Sequence, residues 1–382
     1  MRFFNVAGPC DMADHYMIDS ASRLPGVEQL IDTKQYFVVH AARQSGKTTC
    51  LLDLTKKLNS EANYHAVYCS LEVLQGIHEA EKGMPYLIEC IKHALYICGI
   101  PQHELFAEHA NYVNAAGVLH VELTRFCKRL DKPLVIFFDE ADCLGGATLI
   151  SFLRQLRAGY VNRTLVPFVH SLALAGMRNI RDFKVQVRPE SQTLGSASPF
   201  NIATKAMTLQ NFTKEEVALL YRQHTDETGQ PFEPDAIDLV FEQTQGQPWL
   251  VNAIAREVIG KILASDYSRP VTAALIYQAI QTIILRRDTH IDSLLERLKE
   301  ERVRRVIEPL LLGDDFFERM SDDYQYVTDL GLIKEVNHKI QISNPIYVEA
   351  IVRALNYEVQ KIFYLTKPDA GISRYLKPAE KL

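Results

Sequence analysis

Residues 35–50, QYFVVHAARQSGKTTC, constrain the fold more than any other stretch of this chain. QYFVVHAA (35–42) is aromatic and β-branched with little polarity, so it reads as a buried strand. GKTTCLLDLTKKLN (46–59) carries apolar residues at helical spacing. A strand that runs through a short loop into a helix N-terminus aims backbone N–H groups and the helix dipole at one point, where an anion is stabilised. Phosphate loops of this kind read G-x-x-x-x-G-K-[ST]. Here Ala41 stands at the first glycine and Ala42, Arg43, Gln44, Ser45, Gly46, Lys47 and Thr48 follow. The expected roles are a backbone cradle from Ala42 to Thr49, Lys47 on the β- and γ-phosphates, and the Thr48 hydroxyl on Mg²⁺.

A second element supports the first. PLVIFFDEAD (133–142) is an apolar run ending in Asp139 and Glu140. A parallel sheet opens its ligand crevice at the C-terminal ends of its strands, so a buried strand can carry acids there. Asp139 is expected on Mg²⁺ and Glu140 on the attacking water. The plainer alternative is an acidic turn in which Asp142 caps the next helix. That alternative fits poorly beside a Gly-Lys-Thr loop in the same alternating pattern.

Further strands are expected at 64–73, 169–176 and 205–212, with helices at 85–99, 116–130 and 149–163 and a short one over 27–32. Alternating strands and helices predict an α/β fold, a mostly parallel sheet covered on both faces. If the strand HSLALAG lies between the two motif-bearing strands, Arg178 or Asn179 just beyond it would reach the γ-phosphate. Arg154, Arg157 and Arg163 are candidates for an arginine finger reaching a neighbouring subunit, although helix surface charge is the plainer reading.

From Thr213, which with Glu216 forms a capping box, only helices are expected to about 285. Within them, Gly246-x-Pro248 opens an apolar helix whose N-terminus would face the nucleotide. From 301 the pattern is two helices, a hairpin over LIKEV and KIQIS about an Asn-His turn, and a helix: the outline of a winged helix. The resulting division is an N-terminal segment 1–34, a core 35–212, a helical lid 213–285, a winged-helix-like domain 286–356 and a tail 357–382.

Composition excludes several classes. With 382 residues, 47% hydrophobic and 23% charged, the chain is an ordinary globular protein of two or three domains. Its net charge of −5 offers no whole-chain attraction for nucleic acid or anionic lipid. No run approaches a membrane span and the N-terminus lacks the shape of a signal peptide, so a cytoplasmic location is expected. Seven cysteines without a C-x-x-C pair predict reduced, buried thiols rather than disulfides or zinc.

Taken together, ARQSGKTT, VIFFDEAD, AGMRNIRD, SASPFNIA, GQPWLVNAIA and YVTDLGLI…ISNPIYVEAI resemble the AAA-like ATPases of bacteria and archaea related to STAND and origin-recognition ATPases. The resemblance covers roughly residues 10–356. It implies a three-layer αβα P-loop NTPase core with a helical lid and a winged-helix-like domain. It also implies Lys47 and Thr48 as Walker A residues, Asp139 and Glu140 as the Walker B pair, Arg178 at the sensor 1 strand end, and Gly246 and Pro248 as the family's G-x-P turn. ATP and Mg²⁺ are the expected ligands, Glu140, Lys47 and Arg178 the catalytic set. The expected function is an Mg-dependent ATPase that couples nucleotide state to lid and winged-helix position. The alternatives are a DNA loader or remodelling ATPase and a protein-interaction scaffold with little hydrolysis. DNA is not favoured, because SDDYQYVTDLG, where a recognition helix would lie, carries Asp322, Asp323 and Asp329 and no base. A protein partner and a homo-oligomer are left open.

Overall fold

The structure, a computed structural model, describes residues 1–108, 115–177, 202–313 and 321–366. Five parallel strands form the core: β1 (Tyr36–His40), β2 (His65–Ser70), β3 (Leu134–Asp139), β4 (Ser171–Gly176) and β5 (Ala203–Thr208). Their order across the sheet is β2-β3-β4-β1-β5, so β4 separates the strand before the Gly-Lys-Thr loop from the strand that ends in Asp139. The inner strands β1, β3 and β4 are buried along nearly their whole length because both faces are covered, whereas the edge strand β5 exposes Lys205 and Thr208. Tyr36, Val38, Ile136, Phe138, Leu172 and Leu174 pack under the helices Ala80–Ile97, Val118–Cys127 and Gly146–Asn162. Phe37, Val39, Val135, Phe137, Ala173 and Ala175 face the helices Val27–Asp32 and Lys47–Ser60. The αβα layering expected of the core is thus present.

Two helix boundaries differ from expectation. The helix expected to open at Pro85 opens at Ala80, and Pro85 lies inside it. The bond that proline forfeits is outweighed by burial of Met84, Leu87, Ile88 and Ile91 along one face. The last helix, expected to end near 356, runs from Pro345 to Thr366, so the first ten residues of the expected tail continue it.

Beyond the sheet, Lys214–Thr228 opens on the capping box: Thr213 Oγ1 accepts from Glu216 N, and Thr213 N donates to Glu216. Helices continue to Arg286, and Thr289–Arg297, Glu301–Leu311 and Asp322–Asp329 follow. The antiparallel pair Ile333–Val336 and Lys339–Ile342 then leads into the last helix, the order expected of a winged helix. One continuous core joins the lid helices to this C-terminal part, with Trp249, Ile254, Ile283, Ile291, Val327 and Ile351 among its residues. Phe4, Tyr16 and Ile18 of the N-terminal segment belong to the same core. Packing therefore makes one body of N-terminal segment, lid and C-terminal domain, set against the sheet. All seven cysteines are free thiols; Cys50 and Cys69 are buried as expected, while Cys10, Cys90, Cys98, Cys127 and Cys143 are only half-buried. Among the described residues no helix is long and apolar enough to cross a membrane.

Candidate functional site

The loop after β1 works without its first glycine because position 41 does not need one. Ala41 is buried, has no left-handed backbone, and donates its N–H to Gly176 O at 3.3 Å, continuing the strand. The left-handed turns fall later, at Gln44 (φ 58°) and Gly46 (φ 85°). Gly46 is the N-cap of Lys47–Ser60, so the loop's N–H groups and the positive end of that helix coincide.

On the sheet side the expected groups converge. Lys47 Nζ lies 3.1 Å from Asp139 Oδ1 and 3.0 Å from Glu140 Oε1. Thr48 donates its hydroxyl to Asp139 Oδ2 at 2.7 Å. Asp139, fully buried at the end of β3, also accepts from Tyr68 OH at 3.1 Å and from Glu140 N at 2.9 Å. Burial works to lower the Lys47 pKa, but Asp139 and Glu140 outweigh it and the net shift is upward, so the ammonium is charged. Burial, then Asp139, pushes the Tyr68 phenol well above its ordinary value, leaving it a donor. Thr48 and Asp139 are hard oxygen donors of the kind Mg²⁺ takes, and the helix N-terminus with Lys47 suits a polyphosphate. The residues fit the expected ligands.

Asp142 does not cap a helix; its Oδ2 accepts from Met177 N at 3.1 Å, tying the segment after β3 to the end of β4. Arg178 and Asn179 lie outside the described residues. Arg163 binds its own chain, donating to Lys34 O at 2.6 Å and stacking 3.8 Å over the Tyr160 ring.

On the lid side the loop is held by hydrogen bonds from Arg23, Gln247 and His290. Arg23, buried, donates to Ser45 O at 2.6 Å and to Gln210 O at 2.8 Å. Gln247 caps the Pro248–Glu257 helix by accepting from Leu250 N at 2.6 Å, and its Nε2 donates to Gln44 O at 3.3 Å. The Gln44 side chain meets His290 Nδ1 at 2.7 Å, and His290 Nε2 meets Tyr347 OH at 2.6 Å. The imidazole stacks on Trp249 at 4.9 Å, and burial with Arg43 nearby drives its pKa down to about 3. Arg43 reaches Ser293 Oγ at 3.0 Å. Gly331 abuts Ala42 so closely that any Cβ there would fall 2.6 Å from the Ala42 methyl. Gly246 is required for backbone reasons: its φ is 71°, and a Cβ would meet Phe212 O at 1.8 Å. Pro248 begins its helix on the wall of a cavity of about 130 Å³ that also touches Gln44, Gly46 and Thr49. Thr49 Oγ1 accepts from Cys10 N at 3.0 Å, closing the N-terminal segment over that cavity.

Little of this lid-side set was within reach of sequence reading. Gln247 lay within GQPWLVNAIA, and Gly331 and Tyr347 within YVTDLGLI…ISNPIYVEAI, whereas Arg23 and His290, like Tyr68 on the sheet side, lie in segments without a motif, 22 to 246 residues from their partners.

This sheet order, with the loop after β1 and the acids after β3, is that of a P-loop NTPase αβα core. Among solved structures, the chain is similar to a Walker-type ATPase of Pyrococcus abyssi, with a TM-score of 0.57 and 14% identity over 91% of this chain and 99% of that one. Cdc6p of Pyrobaculum aerophilum aligns at a TM-score of 0.45 and 14% identity, covering 88% of this chain and 95% of that one. The RuvB Holliday junction branch migration motor of Thermotoga maritima aligns at 0.41 and 12%, covering 86% and 91%. No protein-family model matches the chain, and no curated protein matches it in sequence.

Proposed function

We propose that the chain binds and hydrolyses Mg·ATP and acts as a switch in which the lid and C-terminal body follow what the loop holds. One observation carries the reading: the eight residues 41–48 are bonded on one side to Asp139 and Glu140 and on the other to the lid and C-terminal body. A ligand seated in that loop must displace or strengthen contacts on both sides.

In this reading Lys47 and the loop N–H groups hold the β- and γ-phosphates, and Thr48 with Asp139 holds the metal. Mg²⁺, when bound, neutralises charge on the phosphate oxygens. Phosphate oxygens compete with Glu140 for Lys47, which frees the Glu140 carboxylate to orient a water and accept its proton. Asp139 keeps its Tyr68 and Thr48 bonds and so stays fixed while this happens. Arg178 and Asn179 are proposed as further γ-phosphate contacts.

A DNA-binding role draws no support from the described C-terminal residues. Arg302 and Arg305 are paired to Asp323, Arg297 to Glu300 and Arg304 to Glu308. Cations already neutralised by their own chain release few counterions on meeting phosphate. Lys47→Ala should abolish Mg·ATP binding in equilibrium titration, and unchanged affinity would overturn the assignment.

A further inference from the structure

A cleft of about 40 Å³ between the phosphate loop and the C-terminal body is lined by two arginines and, among the described residues, by no acid. Arg43, Met177, His290, Ser293, Arg297 and Tyr347 bound it, with apolar side chains between them. Met177 directly follows β4, the strand that separates β1 from the strand ending in Asp139. The cleft therefore reaches the sheet end where the third phosphate of a nucleotide in this loop would lie. Of its two cations, Arg297 already has a counter-ion in Glu300 at 2.7 Å. Arg43 has none among the described residues, and its side chain makes one hydrogen bond, from Nη1 to the Ser293 hydroxyl at 3.0 Å. Its neighbours Ala42 and Gln44 touch the C-terminal body through Gly331 and His290, so Arg43 stands where loop and body meet. A guanidinium is a planar fork that a phosphate can engage through paired, charge-assisted bonds, whereas a serine hydroxyl takes a single neutral one. Arg43 thus rests on the weaker of two kinds of partner, within the loop that would bring it the stronger.

We propose that Arg43 senses the third phosphate of the nucleotide and reports it to the C-terminal body. With a diphosphate in the loop, Arg43 stays on Ser293. With a triphosphate, it leaves Ser293 for the terminal phosphate and releases the Thr289–Arg297 helix, which carries both Ser293 and His290. The exchange trades a neutral bond for a charge-assisted one, so it runs only when the third phosphate is there. Arg43 is a sensing residue, and the chemistry stays with Glu140. The inference rests on reading the loop as a triphosphate site and assigns to one side chain the link between that site and the C-terminal body.

Equilibrium binding of the whole chain to Mg·ADP and to the Mg²⁺ complex of the β,γ-imido analogue of ATP tests it, with amide exchange of the Thr289–Arg297 helix followed in each complex. In Arg43→Ala the affinity ratio of triphosphate analogue to diphosphate should fall about tenfold, with diphosphate affinity kept. Ser293→Ala, which removes the resting partner, should move the same ratio the other way, up by about two- to tenfold. In the unaltered protein the helix should exchange faster with the analogue bound than with Mg·ADP, and in Arg43→Ala the two complexes should exchange alike. A ratio that Arg43→Ala leaves within about twofold overturns the inference alone, and so does a ratio that Ser293→Ala fails to raise. Equal exchange in the two complexes of the unaltered protein does the same and needs no variant, so the test stands even if a variant does not fold. If the unaltered protein binds neither complex, the triphosphate reading falls, and this inference with it.

Discussion

The two flanks of the phosphate loop are built from different interactions. On the sheet flank, Lys47, Asp139 and Glu140 form a charged cluster in which Asp139 is fully buried and engaged by four groups. On the lid flank the contacts are single hydrogen bonds: Gln44, Gln247, His290 and Tyr347 are neutral groups beside an aromatic stack, and the cations Arg23 and Arg43 reach the neutral acceptors Ser45 O and Ser293 Oγ. Breaking a buried ion pair leaves an uncompensated charge and costs about 3–5 kcal/mol. Losing one neutral hydrogen bond to water costs only about 0.5–1.5 kcal/mol. A flank that must stay fixed during chemistry suits the first kind of bond, and a flank that must move suits the second. The shared hydrophobic core ties the lid helices to the C-terminal domain.

Substitutions on each flank sharpen this contrast. The largest effect is expected at Glu140→Gln, which should retain ATP binding and slow Mg-dependent phosphate release by at least about 100-fold, the loss expected for a positioned general base. Release within a few-fold of the unaltered rate would remove Glu140 from the chemistry. On the other flank, His290→Phe keeps a ring against Trp249 but loses the bonds to Gln44 and Tyr347. It should cost about 1–3 kcal/mol in denaturant unfolding and raise amide exchange in the Thr289–Arg297 helix, with Glu140-dependent hydrolysis retained. If His290→Phe slowed phosphate release as much as Glu140→Gln, the proposed division between chemistry and movement would collapse.

The flanks also differ in how much of them was legible. Lys47, Thr48, Asp139 and Glu140 could be proposed from the sequence because the end of a parallel strand is a special place. Apolar runs fix the strand, and any charge at its C-terminal end stands out. Alternation likewise marked the sheet and the two covered faces, and Thr213 with Glu216 marked the lid's first turn. The position of β4 between β1 and β3 was posed only as a condition, since periodicity carries no strand order. His290 was not marked at all: it pairs with Gln44 across 246 residues, in a helix whose own pattern is that of any amphipathic segment. Gly331, Gln247 and Arg23 share that difficulty, because their partners are backbone or methyl groups with no sequence signature. Ala41 departs from the general loop pattern without backbone strain, because the left-handed residues of the loop are Gln44 and Gly46.

The smallest effect, and the most direct probe of whether His290 is neutral, is the response to acid. His290 has a folded-state pKa of about 3, against an ordinary value near 6.5, because burial and the Arg43 charge disfavour the imidazolium. The unfolded chain therefore takes up a proton between those values that the folded chain refuses, and stability must fall as pH drops below about 6.5. The contribution from this one group between pH 6.5 and 5.5 is about 1 kcal/mol. His40, His170 and His224 are also lowered by burial and add to the same slope. Denaturant unfolding from pH 7 to 5.5 should show a decline that is shallower in His290→Phe, although that variant starts from lower stability. Parallel declines in the two proteins would mean that His290 is protonated in the folded state. The chain from Gln44 through His290 to Tyr347 would then carry a charge, and the contrast with the sheet flank's ion pairs would fail at that residue.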